Sequence, residues 1–320
     1  MCFLYKILNV IHHRISKYGR LIGNTVYNRP IGNIYMFHMV RPKLDYIPAI
    51  DELRVSPEYF EKFLVEQREY VDFISIDEMS ERIQTKRKGK KPFGVVTFDD
   101  GYDDNFIYAY PILKKLQVPF VIYVTVNFVN DGQNRIWNYP LIIERIIQKN
   151  DKLELGNGEI YSCATAEEKD EAFRRLRTIF FAMPYGQIQY EFEKFFGAYL
   201  TDDVFTKNTL TWEQIEKLAK DPLCTIGAHT MSHCRLIMDD DESLTYELKD
   251  CRDVLSQHLG CQINHMSYPF GSPSDVSDRA MVYARSIGYK TALMSGGGSV
   301  RRMDKDMYSL KRIQVYAPTA

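Results

Sequence analysis

Two short segments, each directly after an apolar run, carry side chains of the kind that bind metal ions. Thr97–Tyr102 reads TFDDGY and contains two adjacent carboxylates, Asp99 and Asp100. Like charges this close repel each other unless a cation lies beside them. His229 and His233 are separated by three residues, and their imidazoles converge on one point if the segment coils as a helical turn. Neutral imidazole is the commonest protein ligand for zinc.

Together the two segments predict an open metal site. One aspartate and two histidines are three ligands, which leaves a position for water, as in catalytic rather than structural zinc sites. The spare carboxylate can then accept a proton from that water. Taken singly, an Asp-Asp-Gly sequence also suits a solvated turn, and a lone histidine is more often packed or on the surface. The predicted cofactor is one divalent metal, with zinc first and cobalt, nickel or iron also compatible.

Two further segments are ambiguous when taken alone. Ser267–Gly271 reads SYPFG, in which proline restricts the backbone and glycine permits an unusual turn. It equally suits an ordinary exit from a strand. His38 follows the apolar residues Tyr35–Phe37, where a lone histidine is usually a core residue.

The elements that would hold these residues alternate between short strands and amphipathic helices, which favours a parallel α/β sheet or barrel. Residues 131–208 interrupt the alternation and predict an insertion with a helix near Tyr139–Gln148, a hairpin around Gly156–Gly158 and two further helices. Thr211 with Gln214 predicts a capping box at the start of a helix. The predicted strands are Asn33–Val40, Asp72–Ile76, Phe93–Phe98, Phe120–Val126, Cys224–Ala228, Met266–Tyr268, Thr291–Met294 and Leu310–Tyr316.

The candidate residues share one position in this pattern. His38, Asp99, Asp100, His229 and Phe270 all fall at the carboxyl ends of predicted parallel strands. In a β/α barrel those ends share one face, and that face holds the active site. The pattern therefore predicts that residues from four separate strands meet on one rim.

Composition excludes several classes of protein. The 320 residues are 45% hydrophobic and 26% charged, with a net charge of −1, which excludes wholesale disorder, collagen and coiled coil. The charge balance argues against a dedicated nucleic-acid binder. No apolar run is long enough to span a membrane, and the amino terminus lacks the features of a signal peptide. Six cysteines without a CxxC pair suggest free thiols, so we expect a cytoplasmic protein.

The first 44 residues differ from the rest because they contain basic residues but no Asp or Glu. Phe3, Ile7, Ile11 and Ile15 recur every four residues and would form one apolar face of a helix. This helix could pack on the main domain. Alternatively, residues 1–22 could rest on an anionic membrane surface or lie near a phosphate-linked substrate. We divide the chain into an amphipathic, basic segment at 1–32 and one barrel domain at 33–320.

The motifs in combination resemble the polysaccharide deacetylase family, carbohydrate esterases that remove N-acetyl groups from amino sugars. TFDDGY at 97–102, His-x-x-x-His at 229–233 and YPFG at 268–271 occur in the family's order. Residues 288–292 and 310–313 also resemble segments of this family. The resemblance covers residues 34–315 outside the insertion, and it implies a distorted, often incomplete, (β/α) barrel.

The resemblance also implies roles for the motif residues. Asp99 would be the general base, and Asp100, His229 and His233 would bind the metal. The backbone N–H of Phe270 would help to form the oxyanion hole, and we place Tyr268 and Tyr102 with it as residues that contact the oxyanion or the substrate.

Two features depart from the commonest family pattern. After Gly298 there is no Leu-x-His motif for the acid histidine, so the chain is more similar to the poly-N-acetylglucosamine deacetylase subgroup, whose acid lies in an amino-terminal Tyr-His motif. Phe37 and His38 match that motif, which makes His38 the expected general acid. Many members also have an arginine that orients the catalytic aspartate where this chain has Ser267. Either another cation supports Asp99 or that support is dispensable.

The expected function is metal-dependent removal of the N-acetyl group from an amino sugar, whether a glycan, a glycoside or a lipid- or nucleotide-linked intermediate. A non-catalytic glycan-binding protein on the same fold is one alternative, favoured by Ser267 but not by the presence of Asp99 and His38. The other is a metal-dependent hydrolase of a different amide or ester.

Overall fold

The computed structural model describes residues 29–42, 53–130, 139–183, 185–205, 208–238 and 240–316. The amphipathic segment predicted for residues 1–32 therefore lies almost wholly outside the described residues. No described helix is long and apolar enough to cross a membrane.

Seven parallel strands close into a barrel. They are β1 (Pro30–Phe37), β2 (Phe93–Phe98), β3 (Phe120–Val124), β4 (Cys224–Ala228), β5 (His265–Ser267), β6 (Thr291–Gly297) and β7 (Leu310–Gln314). In ring order they run β1, β7, β6, β5, β4, β3 and β2, and β2 pairs with β1 to close the ring. The closing pair is in continuous register from Gly32 opposite Phe93 to Phe37 opposite Phe98.

This ring confirms the predicted (β/α) barrel, and each of its strands overlaps a predicted one. The remaining predicted strand, Asp72–Ile76, is observed only at Asp72–Phe73, which pairs with β2 outside the ring. Val300–Arg301 pairs antiparallel with the start of β1, and Met39–Val40 forms a separate parallel pair with Arg54–Val55. The barrel is distorted where β6 meets β7, because their register shifts between Leu293 and Gly297.

The barrel strands are buried on both faces, as strands enclosed by helices must be. All six residues of β2 are buried. Val95, Val121 and Tyr123 belong to one apolar cluster, whereas Val96 and Ile122 belong to another. Because successive side chains of a strand alternate between its faces, the first cluster fills the barrel and the second lies beneath the helices.

Helices surround the barrel, and hydroxyl side chains cap the beginnings of several. Thr211 and Gln214 form the predicted capping box at the start of one of them. Two of the helices contain π-helical turns, at Asn105–Ala109 and Thr245–Asp250. Among the described residues, the helices outside the insertion are Pro57–Gln67, Ile76–Thr85, Tyr110–Leu116, Val126–Val129, Trp212–Ala219, Asp241–Leu244, Cys251–Leu259 and Asp278–Ser286.

The insertion after β3 has a core of its own, with Phe173, Phe180 and Phe192 at its centre. A buried ion pair between Arg54 and Glu144, 3.5 Å apart, joins it to the segment that follows β1. Its elements match the predicted helix, hairpin and two further helices, and short 3₁₀ turns follow. They are the helices Tyr139–Lys149, Ala166–Ala182 and Tyr185–Phe196, the hairpin Lys152–Glu154 with Ile160–Ser162, and the turns Gly197–Tyr199 and Asp202–Phe205.

Candidate active site

The two adjacent aspartates lie where β2 ends. The Asp99 N–H still donates to Phe37 O across the closing pair of strands, at 3.1 Å. Asp100 and Gly101 then adopt left-handed backbone conformations, with φ of 73° and 75°. Such a conformation costs a non-glycine residue free energy, although aspartate adopts it more readily than most residues. This sharp turn follows directly on a strand, so both carboxylates stay at the carboxyl end of the barrel.

Asp99 is buried and held by Arg312, which comes from β7. Arg312 Nη1 and Nη2 donate to Asp99 Oδ1 and Oδ2, each at 2.7 Å, and Ser267 Oγ donates to Oδ1 at 3.1 Å. Burial on its own would raise the pKa of Asp99, but the charges of Arg312 and His229 outweigh burial and lower it. A cation therefore does support Asp99, and it reaches the aspartate from a different strand than the arginine of the common family motif.

Asp100, His229 and His233 form a cluster able to hold a metal ion, since one ligand atom of each lies within 4.8 Å of the others. Asp100 Oδ1 is 3.3 Å from His229 Nε2 and 3.1 Å from His233 Nε2. Burial raises the pKa of Asp100, but positive charge on the two imidazoles would outweigh it and hold that pKa well below its usual range, as a cation bound at the same place would.

The protonation of His229 matters for this cluster. Its Nδ1 lies 2.8 Å from the carbonyl oxygen of Ser267, an acceptor only, so Nδ1 carries the proton and Nε2 presents a lone pair to Asp100. Asp100 Oδ1 is buried and receives no hydrogen bond from any described residue. Electron-rich atoms facing one another in this way need a cation between them, so the residues fit a divalent metal.

The segment from His229 to His233 is not the helical turn that the sequence suggested. Thr230 and His233 have left-handed backbones, with φ of 64° and 60°, and the residues between β4 and His233 are not helical. The imidazoles still converge, with ring centroids 5.1 Å apart. Convergence therefore does not require a helical turn here, because polar contacts, and not helical hydrogen bonds, define the shape of this segment.

Two sets of hydrogen bonds hold this turn. The His233 N–H donates to Thr230 Oγ1 at 2.9 Å. Ser232 donates twice to the buried carboxylate of Glu247, from its N–H to Oε2 at 3.0 Å and from its hydroxyl to Oε1 at 2.5 Å. Glu247 lies in the π-helical segment Thr245–Asp250, so a packed helix fixes the turn that carries two of the candidate ligands.

His38 lies on the same rim, one residue beyond β1. Asn105 Nδ2 donates to its carbonyl oxygen at 2.8 Å, which fixes the backbone, and its Nδ1 is buried without a hydrogen-bond partner among the described residues. Burial lowers the pKa of His38, and the nearby charges of Asp100 and Asp99 raise it only partly.

The remaining predicted site residues, Phe270, Tyr102 and Tyr268, differ in burial and in the hydrogen bonds that they form. Phe270 has a left-handed backbone with φ of 59°, and its N–H donates to no described residue. Its ring centroid lies 4.9 Å from that of His233. Tyr102 is buried, and burial together with its hydrogen bond to Asp100 raises its pKa. The Tyr268 hydroxyl donates to Tyr308 O at 3.2 Å, so this hydroxyl is already occupied within the protein.

A cavity of about 370 Å³ brings all of these residues together at the carboxyl ends of the strands. Residues that the sequence analysis did not single out complete its wall. They are Met36, Leu53, Phe128, Tyr139, Pro140, Arg177, Phe181, Ser295, Gly296, Gln314 and Tyr316. Tyr139, Pro140, Arg177 and Phe181 belong to the insertion. No local motif marks these residues in the sequence. Arg312 lies in residues 310–313, which resemble the family, but the sequence alone did not indicate its contact with Asp99.

Comparison with known proteins agrees with this architecture. The sequence pattern of the polysaccharide deacetylase family matches residues 86–157 and 193–292, somewhat over half of the chain. The chain therefore belongs to the polysaccharide deacetylase family. A search among curated proteins finds no match.

Several solved structures share the fold. The deacetylase PplD of Streptococcus pyogenes, solved in complex with acetate, superposes with a TM-score of 0.61 at 19% identity, covering 90% of this chain and 94% of that one. IcaB from Ammonifex degensii gives 0.59 at 17% identity, over 90% and 92% of the chains. A de-N-acetylase from Aggregatibacter actinomycetemcomitans gives 0.56 at 15% identity, over 90% and 96%.

Proposed function

We propose that this protein is a metal-dependent hydrolase that removes the N-acetyl group from an amino sugar. One observation carries the proposal. Asp100, His229 and His233 converge beside a second carboxylate, Asp99, that a buried arginine holds in its ionised form. A glycan-binding module would need neither the convergent donors nor the ionised carboxylate next to them.

A divalent cation would be held by Asp100 Oδ1 and by Nε2 of His229 and His233. When bound, such a cation makes water more acidic and polarises an amide carbonyl. The ligand set suits zinc, and cobalt, nickel or iron are compatible with it. Ser267 O orients His229 through Nδ1, the arrangement that commonly fixes the tautomer of a ligating histidine.

Asp99 is the proposed general base. Its carboxylate follows Asp100 around one sharp turn, and its lowered pKa keeps it ionised and ready to accept a proton from the attacking water. Arg312 and Ser267 restrict its orientation through three hydrogen bonds. Such restriction favours catalysis because the acceptor does not have to be reoriented during the reaction.

His38 and Phe270 complete the proposed mechanism. The Phe270 N–H, which has no described acceptor, can donate to the oxyanion of the tetrahedral intermediate. His38, in its protonated form, is the group we assign to donate a proton to the departing amine, because it lines the same cavity and belongs to neither the ligand cluster nor the Asp99–Arg312 pair. The charges of Asp100 and Asp99 favour that protonated form against burial. The products would be acetate and a free amino sugar.

The cavity wall supports a carbohydrate substrate. Tyr139, Phe181 and Tyr316 present aromatic rings near the candidate ligands, and two of the three come from the insertion. Among proteins of the same fold, one is named a de-N-acetylase and another was solved with acetate. If the protein works in the cytoplasm, as the sequence predicts, a biosynthetic intermediate is a better candidate than a secreted polymer.

The test measures metal content and acetate release on the same tag-free samples. Wild-type protein, reconstituted with zinc, cobalt or nickel where necessary, should hold about one metal per chain by elemental analysis and release acetate from N-acetylglucosamine oligomers. His229→Ala should lose both properties. His258→Ala is the matched control, since His258 packs on Trp212 outside the cavity, and it should keep both.

The outcomes separate the alternatives. If His229→Ala retained metal and rate, the assigned site would be wrong. Metal binding without acetate release from these oligomers, together with hydrolysis of a different amide or ester substrate, would indicate a hydrolase of another amide or ester. Glycan binding without metal or hydrolysis would favour the non-catalytic alternative, although its main support, Ser267, is weakened by the presence of Arg312.

A further inference from the structure

We propose that the face at the amino ends of the barrel strands binds the surface of an anionic phospholipid bilayer. This face surrounds a cavity of about 610 Å³, at the opposite end of the barrel from the candidate active site. Its wall comes from the start of β1, the end of the helix Ile76–Thr85, the loop before β2 and the segment before β7. We call it the basic face and define it by seven exposed residues, Arg29, Lys86, Lys88, Lys90, Lys91, Arg302 and Lys305.

The charges of the basic face are not neutralised by neighbouring acids. None of the seven residues forms an ion pair with another described residue. The nearby acids Glu78 and Glu81 pair instead with Arg82 and Arg87. The Asp72 carboxylate accepts a hydrogen bond from the backbone N–H of Lys91 at 3.1 Å but forms no ion pair with a described side chain. Asp304 is the single acidic residue in the cavity wall. On a chain whose net charge is −1, this concentration of positive charge gives one end of the barrel a field that attracts anions.

The construction of the cavity favours a broad anionic surface over a small bound anion. All seven cations are exposed, whereas the only buried residues of its wall are apolar, Phe93 and Met307. No buried polar side chain of the wall is therefore in place to grip a single phosphate. Exposed lysines and arginines around an apolar floor match the boundary between lipid headgroups and acyl chains, where long basic side chains reach the phosphates.

The sequence that leads into this face has the same character. Residues 1–28 enter the described fold at Arg29, carry Lys6, Arg14, Lys17 and Arg20, and contain no acid. A basic sequence with apolar residues at every fourth position is typical of segments that lie on anionic membranes, so both features point to the same partner.

The basic face and the candidate active site lie at opposite ends of the barrel, which determines how the active site would be oriented on a membrane. The catalytic cavity opens at the carboxyl ends of the strands and the basic face lies at their amino ends. A protein resting on a bilayer through its basic face would therefore present its active site away from the lipid. The inference does not depend on the proposed deacetylase activity, because it concerns a different surface.

The experiment is co-sedimentation of the full chain with vesicles of phosphatidylcholine, with and without phosphatidylglycerol. We expect binding only to the anionic vesicles, and its loss at high salt, because charges exposed to solvent are screened. Lys88→Glu/Lys90→Glu should weaken binding by about tenfold or more. The matched control is Lys152→Glu/Lys194→Glu, which makes the same charge change at exposed positions of the insertion and should bind within about twofold of wild type.

Several results would overturn the proposal. If wild-type protein did not co-sediment with anionic vesicles at low salt, the basic face would not bind a bilayer. Equal binding by Lys88→Glu/Lys90→Glu and by the control would place any lipid contact elsewhere, for instance in residues 1–28. Binding to duplex DNA or polyphosphate without vesicle binding would identify a different anionic partner. Deacetylase assays on the same variants are a separate readout, since neither pair of lysines lines the catalytic cavity.

Discussion

The guanidinium of Arg312 donates to both carboxylate oxygens of Asp99 at 2.7 Å, although the two residues are 213 positions apart in the chain. The two meet because β2 and β7 both pair with β1 where the barrel closes. Both side chains are buried, so each compensates the charge of the other. Ser267, at the position where many family members have their arginine, adds a hydrogen bond from its hydroxyl to the same carboxylate.

Arg312→Met should lower the free energy of unfolding by about 3–5 kcal/mol, because it leaves the Asp99 carboxylate buried and unpaired. Asp99→Asn combined with Arg312→Met should recover much of that loss, since the uncompensated charge is then gone. Urea unfolding of the two single variants and the double variant measures the coupling. Lys311→Met, at the exposed neighbouring position, is the control and should change stability by less than about 1 kcal/mol. If the loss of unfolding free energy in the double variant equalled the sum of the losses in the two single variants, Asp99 and Arg312 would not stabilise each other.

His38→Gln should reduce the deacetylation rate by about 10²–10⁴-fold while metal content stays at the wild-type level, because His38 is assigned to proton donation and lies outside the ligand cluster. The measurement is kcat together with elemental analysis of the same sample. His258→Gln, at a position outside the cavity, controls for the substitution itself. Loss of metal from His38→Gln would make His38 a ligand, and an unchanged rate would remove it from the mechanism.

Glu247→Ala should weaken metal binding by about 10–100-fold without touching a ligand, because the turn carrying His229 and His233 would lose both hydrogen bonds that Ser232 donates. Competition with a chelator of known affinity gives the constant. Glu247→Gln keeps an oxygen for the Ser232 N–H and should restore most of the affinity. If Gln and Ala behaved alike, the effect would come from packing or charge and not from these hydrogen bonds.

Asp104 should make stability depend on pH. Burial raises the pKa of Asp104 to about 6, although Arg41 and the Val40 N–H favour its ionised form. Because this value exceeds the roughly 3.9 of an unfolded aspartate, the stabilising contribution is complete below about pH 4 and is lost as pH rises through about 6. Relative to wild type, the free energy of unfolding of Asp104→Asn should therefore rise by about 3 kcal/mol between pH 4 and pH 7.

Urea unfolding at several pH values tests this expectation for Asp104. Asp103→Asn is the control, because Asp103 also pairs with Arg41 but its side chain is 27% exposed. The difference in unfolding free energy between wild type and Asp103→Asn should change much less with pH than the difference for Asp104→Asn. A constant difference between wild type and Asp104→Asn across this range would mean that Asp104 ionises in the folded protein as it does in the unfolded chain.

Much of the barrel could be predicted from the sequence because its signals are local. Apolar runs such as Phe93–Phe98 and Cys224–Ala228 match the observed strands residue for residue. The capping box at Thr211 lies within four consecutive residues. Placing His38, Asp99 and His229 on one rim needed only the rule that parallel strands share their direction, and the cavity contains all three.

The sequence by itself determined the strands, the insertion and the motif residues of the candidate site, since each depends on neighbours in the chain. Only the tertiary structure decided which cation holds Asp99, how the turn from Thr230 to His233 bends, and which insertion side chains line the cavity. The reason is physical: these features depend on contacts between distant segments. Arg312 reaches Asp99 through the closure of the ring, and Glu247 fixes the turn from a separate helix.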